Sequence, residues 1–228
     1  VCAHGNGVCV PFVTYNVLAP SLISKDWFPK SEENVPGSTT PEVRWPKVRG
    51  YVESAIKAGA VIALQEVQRM WADRLLKLFE ESGYVAQCTK RDKSTSPCAF
   101  RQSEAPVMGV LLAWPKAKYT WTESQVDIKT LVPHSDPSAE YARARNRENI
   151  MVLARLKSTA TGAFLWVATC HMPLFYKNDV DKRAQAIHMY LALSFLRYLA
   201  TSEPAVLVGD FNLQPTTPQY AMAAEGYA

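Results

Sequence analysis

Val206-Leu207-Val208-Gly209-Asp210-Phe211-Asn212-Leu213-Gln214-Pro215 decides how this chain is read. An apolar run stops at a glycine and gives way to a carboxylate, an aromatic ring and an amide. This is the pattern of a buried strand that delivers polar groups to the edge of a sheet. Strand side chains alternate, so Asp210 and Asn212 share a face on either side of Phe211. One short segment thus offers a base and a transition-state donor together. Gly209 permits close backbone approach at that point.

The same theme recurs upstream. Asn16 follows Phe12-Val13-Thr14-Tyr15, Glu66 follows the apolar run from Val61, and His171 follows Leu165-Trp166-Val167-Ala168-Thr169-Cys170. If these strands pack side by side, their ends converge on one rim. A rim of Glu, Asp, His and two Asn can bind a hard divalent cation and activate water against a phosphate. Taken singly, each residue reads more readily as a cap, a turn former or a structural histidine. The conjunction points to chemistry.

Apolar spacing of three and four predicts helices over 43–58, 70–81 and 179–200. Pro46 falls in the first turn of the first of these, and Thr217-Pro218 reads as a further helix start. Segments 19–41 and 129–148 read as loops. Strands are predicted near 10–18, 60–64, 84–88, 107–114, 119–125, 150–156 and 163–171. Alternating strands and helices make this an α/β chain. No linker or repeat interrupts it, so residues 1–228 are expected to form one domain.

The chain has 228 residues and a net charge of +4, which neither demands nor excludes a polyanionic partner. Its five cysteines include no Cys-x-x-Cys pair, so neither a disulfide framework nor a zinc site is expected. A reduced intracellular compartment follows by default. No apolar run is long enough for a membrane span. Basic clusters at Lys90-Arg91-Asp92-Lys93 and at Arg143, Arg145 and Arg147 either track a phosphate backbone or simply stay solvated.

Four pieces occur in order: Thr14-Tyr15-Asn16-Val17-Leu18-Ala19, Leu64-Gln65-Glu66-Val67, Thr169-Cys170-His171-Met172 and Gly209-Asp210-Phe211-Asn212-Leu213-Gln214-Pro215. Together they resemble the endonuclease/exonuclease/phosphatase superfamily of pancreatic deoxyribonuclease-like phosphoesterases. Arg44-Trp45, Arg49, Asn149 and Gln185 extend the likeness to its deadenylase/nocturnin/2′-phosphodiesterase-like branch. The resemblance implies a two-sheet α/β sandwich with outer helices. Glu66 would hold Mg²⁺, or Mn²⁺ in its place, with Asn16 close by. Asp210 would orient or deprotonate the attacking water, and Asn212 and His171 would hydrogen-bond the phosphate. Asn149 would contact substrate or brace the site. From the basic cluster, and not from the resemblance, Arg145 is the expected substrate-binding residue.

The implied activity is Mg²⁺-dependent 3′-5′ shortening of single-stranded RNA, inside the cell and with other subunits of an RNA-processing complex as partners. Two alternatives stay open: an inactive member serving as a binding or assembly subunit, and an enzyme acting on another phosphate ester. After His171 the branch carries an aromatic-Asp-Pro segment, where this chain reads Pro173-Leu174-Phe175-Tyr176. Phe175 or Tyr176 would then stack on a base, or plug its own loop. Members end on a strand with an Asp-His pair. This sequence stops at Ala228 before one, so the sandwich is expected to be incomplete at its C-terminus.

Overall fold

A computed structural model describes residues 9–89, 108–175 and 177–225. These divide between Tyr119 and Thr120 into two compact units. The first is built on β1 (Phe12–Asn16), β2 (Val61–Val67), β3 (Tyr84–Cys88) and β4 (Gly109–Pro115). They lie in the order β1-β2-β4-β3. β1 and β2 run parallel, and the other pairs are antiparallel. β2 and β4 are buried at every position, which is why residues 61–64 and 110–114 read as continuous apolar runs instead of alternating ones. After a short α1 (Pro29–Asn34) come α2 (Pro41–Lys57) and α3 (Arg69–Glu81). Val48 and Val52 of α2 and Trp71, Leu75 and Phe79 of α3 pack with Ile62, Leu64 and Leu111 of the sheet.

The second unit is built on β5 (Tyr119–Asp127), β6 (Ile150–Ser158), β7 (Phe164–His171) and β8 (Ala205–Asp210), in that order across the sheet. β6 and β7 form the expected antiparallel hairpin, and β7 and β8 run parallel. Its helices are α4 (Ala139–Arg145), α5 (Asp179–Ala200) and α6 (Pro218–Glu225). Met189, Ala192 and Leu196 of α5 cover Met151, Leu153, Ala168 and Cys170. Two four-stranded sheets with helices are the expected α/β class.

The structure corrects several sequence expectations. α2 starts at Pro41, because Thr40 caps it by accepting the Val43 N–H. Pro46 therefore lies inside the helix and not in its first turn. Segment 19–41 is not a plain loop. It holds a 3-10 turn (Pro20–Leu22) and α1, braced where the Glu32 carboxylate accepts the Gly37 N–H at 2.9 Å and the Thr39 hydroxyl at 2.8 Å. Segment 129–148 likewise contains α4. Its buried positions, Val132 and Ala144, are too few to set up a visible period. β2 runs on through Gln65 and Glu66 instead of stopping at Leu64.

Cys9 and Cys88 each take part in a disulfide, and Cys170 is a buried free thiol. Spacing alone does not reveal such pairs. Disulfides persist in oxidising surroundings, so the cysteine-based reason for expecting a reducing compartment no longer holds. Among the described residues no helix is long and apolar enough to cross a membrane.

Candidate active site

In the first unit the informative residue is Glu66. The register of β2 on β4 shifts between Leu64 and Val67, and Glu66 lies in that irregularity with φ +59°. Such a backbone costs a residue with a Cβ about 1–3 kcal/mol and persists only where the surroundings over-determine it. Here they do. Glu66 Oε1 accepts from Asn16 Nδ2 at 2.7 Å, and Oε2 accepts the Ala19 N–H at 2.9 Å. Asn16 Oδ1 accepts the Leu18 N–H at 2.9 Å, which turns the Asn16 NH₂ toward Glu66.

Arg44 donates to the carbonyls of Leu18 and Val17, both at 2.9 Å, and lies over the Trp71 ring. Burial lowers the Arg44 pKa, while the charges of Tyr15 and Glu66 act against that. The Gln68 amide exchanges hydrogen bonds with Ser21, at 3.0 and 2.6 Å. The outcome is a carboxylate only 7% exposed and held in one orientation.

A carboxylate offers up to four acceptor sites. One fixed carboxylate suits Mg²⁺, which keeps most of its shell as water and substrate oxygen. Among the described residues no group of three or more His, Cys, Asp or Glu gathers to cage a metal. The hard carboxylate oxygens of Glu66 are the kind of donor Mg²⁺ takes. Asn16 contributes by orienting that carboxylate.

In the second unit the parallel pairing of β7 and β8 sets His171 opposite Asp210. The chain then turns sharply. Asp210 Oδ1 accepts the Asn212 N–H at 3.0 Å, and Asn212 adopts φ +50°. Asn212 Nδ2 donates to the Met172 carbonyl at 2.8 Å and stands 3.1 Å from His171 Nε2. His171 Nε2 is 3.9 Å from Asp210 Oδ2. A carboxylate, an imidazole and an amide thus meet at the ends of two neighbouring strands.

Gly209 makes that pairing possible, since a Cβ there would lie 2.1 Å from the Cys170 carbonyl oxygen. Gly209→Ala is expected to destabilise the protein by about 3 kcal/mol, the upper end for overpacking. A urea midpoint equal to that of the parent protein would contradict this close approach.

Asn149 faces inward and is 3% exposed. Its Nδ2 lies 3.1 Å from Met172 Sδ and 3.2 Å from His188 Nδ1. His188 Nε2 meets the Ala144 carbonyl at 2.9 Å. A carbonyl only accepts, so the proton sits on Nε2 and Nδ1 accepts from Asn149. Burial lowers the His188 pKa, with the Ala144 hydrogen bond opposing. The unfolded chain therefore takes up this proton first. Stability is full above about pH 6.5 and falls as the pH drops below it. His188→Gln is expected to flatten that fall, which urea midpoints at about pH 7.5 and 5.5 would reveal. An unchanged pH slope would sink the assignment.

Other expected site residues lie elsewhere. Phe175 is 6% exposed and packs with Val132, Ala144 and Ala184 beneath the Arg143 guanidinium, 4.5 Å from the ring centre. Leu174 points outward instead. Burying a phenyl ring is worth about 1.5–3 kcal/mol, and stacking on a base would forfeit it. Phe175 thus plugs its own unit. Arg145 donates to the carbonyls of Pro133 and Asp136, and Arg143 bonds Asp181 at 2.8 Å. Both are committed to the fold. Tyr176 and the Lys90–Lys93 cluster lie outside the described residues. Sequence reading gave Arg44 and Gln185 only as points of resemblance and found no place for His188. The usable signal was a polar side chain on an otherwise apolar helix stripe.

A family model, the Endonuclease/Exonuclease/phosphatase family, matches residues 13–227. The chain belongs to this family. All four strand-end segments fall within the matched span. Probable RNA exonuclease NGL3 of Saccharomyces cerevisiae is 25% identical over 224 residues, covering 92% of this chain and 39% of that protein. The chain therefore spans about two fifths of this relative.

Among solved structures, the human Nocturnin catalytic domain with bound sulfate superposes with TM-score 0.65 and 16% identity, covering 93% of this chain and 67% of that one. ANGEL2, a 2′,3′-cyclic phosphatase in complex with adenosine-2′,3′-vanadate, gives 0.64 and 19%, covering 94% and 57%. At these identities the likeness is one of fold. An Endonuclease/Exonuclease/phosphatase chain with these neighbours is what the deadenylase-like motifs lead one to expect.

Proposed function

We propose that this family member acts as a Mg²⁺-dependent phosphodiesterase that shortens single-stranded RNA from its 3′ end. The observation that carries the proposal is the trio of Asp210, Asn212 and His171 in the second unit, with Asn212 hydrogen-bonded to both Asp210 and His171 and His171 Nε2 3.9 Å from Asp210 Oδ2. The oriented Glu66 carboxylate supports it, as does the yeast relative's description as a probable RNA exonuclease.

Charge builds on the phosphoryl oxygens during attack, so donors in place beforehand lower the barrier. Mg²⁺ held by Glu66 would supply the neutralising charge. Asp210 takes the proton of the attacking water. A phosphoryl oxygen arriving at Asn212 takes its Nδ2 hydrogen in place of His171, and in the tautomer with its hydrogen on Nε2 His171 donates to it as well.

A 5′-labelled oligo(A) and oligo(U) incubated with full-length protein test this reading. A ladder of shortened products with Mg²⁺ and none with EDTA is expected. No ladder on any RNA overturns the RNA reading. Hydrolysis of a sugar phosphate or a 2′,3′-cyclic phosphate instead would move the same residues to another ester.

A further inference from the structure

We infer that Gln185 is a positioning residue whose buried amide holds Asn212 in the strained backbone from which its side chain meets the phosphate; this rests on the role proposed above for Asn212. Gln185 lies on α5 and is 4% exposed. Its Nε2 donates to the Pro173 carbonyl at 2.9 Å and the Asn212 carbonyl at 3.1 Å, with the Phe211 carbonyl at 3.5 Å. One of these carbonyls follows His171 and the others follow Asp210. A single amide therefore ties both strand-end segments to one helix.

The restraints on Asn212 show what that tie does. Its N–H is held by Asp210, and its side chain by Met172 and His171. All three belong to the two strand ends themselves. Among the described residues Gln185 holds the Asn212 carbonyl from outside them. A residue at φ +50° relaxes unless such restraints persist. Every acceptor facing Nε2 is a carbonyl, so both amide hydrogens are required. Glutamate supplies neither and would set a carboxylate against three oxygens. Methionine keeps the volume and also supplies neither. Neighbouring positions of this buried stripe are Ala184, His188 and Met189, and apolar packing alone would be served by Met or Leu.

The test uses full-length protein with Mg²⁺ and a labelled oligonucleotide. Gln185→Met is expected to lower kcat about 10- to 100-fold, as loss of an orienting partner does, with KM changed less than about twofold. Combined with Asn212→Ala it should be no slower than Asn212→Ala alone. Losses that multiply would overturn the inference, because Gln185 would then act through something else.

Two readouts do not depend on turnover. In the parent protein the Gln185 side-chain NH₂ should exchange slowly with solvent; exchange at the rate of a free amide overturns the inference even if the variant fails to fold. In Gln185→Met the Asn212 backbone and side-chain NMR signals should shift while those of Asn16 and Ala19 stay. If the parent protein cleaves no phosphate ester, the reading of function fails. The Asn212 signals then still decide the role of Gln185: unmoved signals refute it.

Discussion

Asp210→Ala is expected to reduce kcat by about 10³-fold or more while leaving RNA binding within a few fold. Two losses combine. A positioned general base is worth roughly 10²–10⁴. The same carboxylate also accepts the Asn212 N–H at 3.0 Å, so its removal frees the turn that aims the Asn212 amide. Asp210→Asn separates the two. It keeps an oxygen for the turn and loses the basicity, so it should match the alanine variant in kcat but melt at the temperature of the parent protein. Steady-state kinetics and thermal melts on the three proteins check this. An Asp210→Asn variant with near-normal turnover would remove Asp210 from the chemistry.

Glu66→Gln is expected to remove the response to Mg²⁺ and to lower turnover by roughly 10³-fold, the several kcal/mol that a cation contributes to a charged transition state. The substitution is nearly isosteric but chemically poor at this position. The two carboxylate oxygens face two donors, Asn16 Nδ2 and the Ala19 N–H. A glutamine must set its own NH₂ against one of them. The half-buried Arg44 would also lose the Glu66 charge that favours its protonated form. Titration calorimetry with Mg²⁺, alongside activity across a wide Mg²⁺ range, reads both effects. A variant that binds Mg²⁺ and cleaves as the parent protein does would show that Glu66 is structural only.

Much of this was legible in the sequence because burial left strong marks. β7 and β8 read as apolar runs ending in His171 and Asp210, and the register places those residues side by side. α5 was bounded correctly, since its period is long and Ala200 precedes a clear break. Glu66 was named, but not the bulge that turns it, because a left-handed glutamate leaves no sign in residue type.

The misses share one cause: the answer depended on what lay across the fold. An aromatic after a strand reads the same whether it meets solvent or a pocket, and Phe175 found Val132, Ala144 and Ala184. Arg145 reads as a phosphate binder until two loop carbonyls are seen to occupy it. Gln185 and His188 lie three residues apart on the buried stripe of α5. Their polarity there was the one cue to bracing that sequence offered.

The central claim is that Asp210, Asn212 and His171 form one phosphate-binding site at the ends of β7 and β8. Titration of ¹⁵N-labelled protein with a non-hydrolysable oligo(A) in EDTA tests it most directly. The signals of His171 and Asn212 should shift together as the oligonucleotide is added, and Asn212→Ala should weaken binding. Shifts confined to other residues, with His171 and Asn212 untouched, would contradict a site at these strand ends.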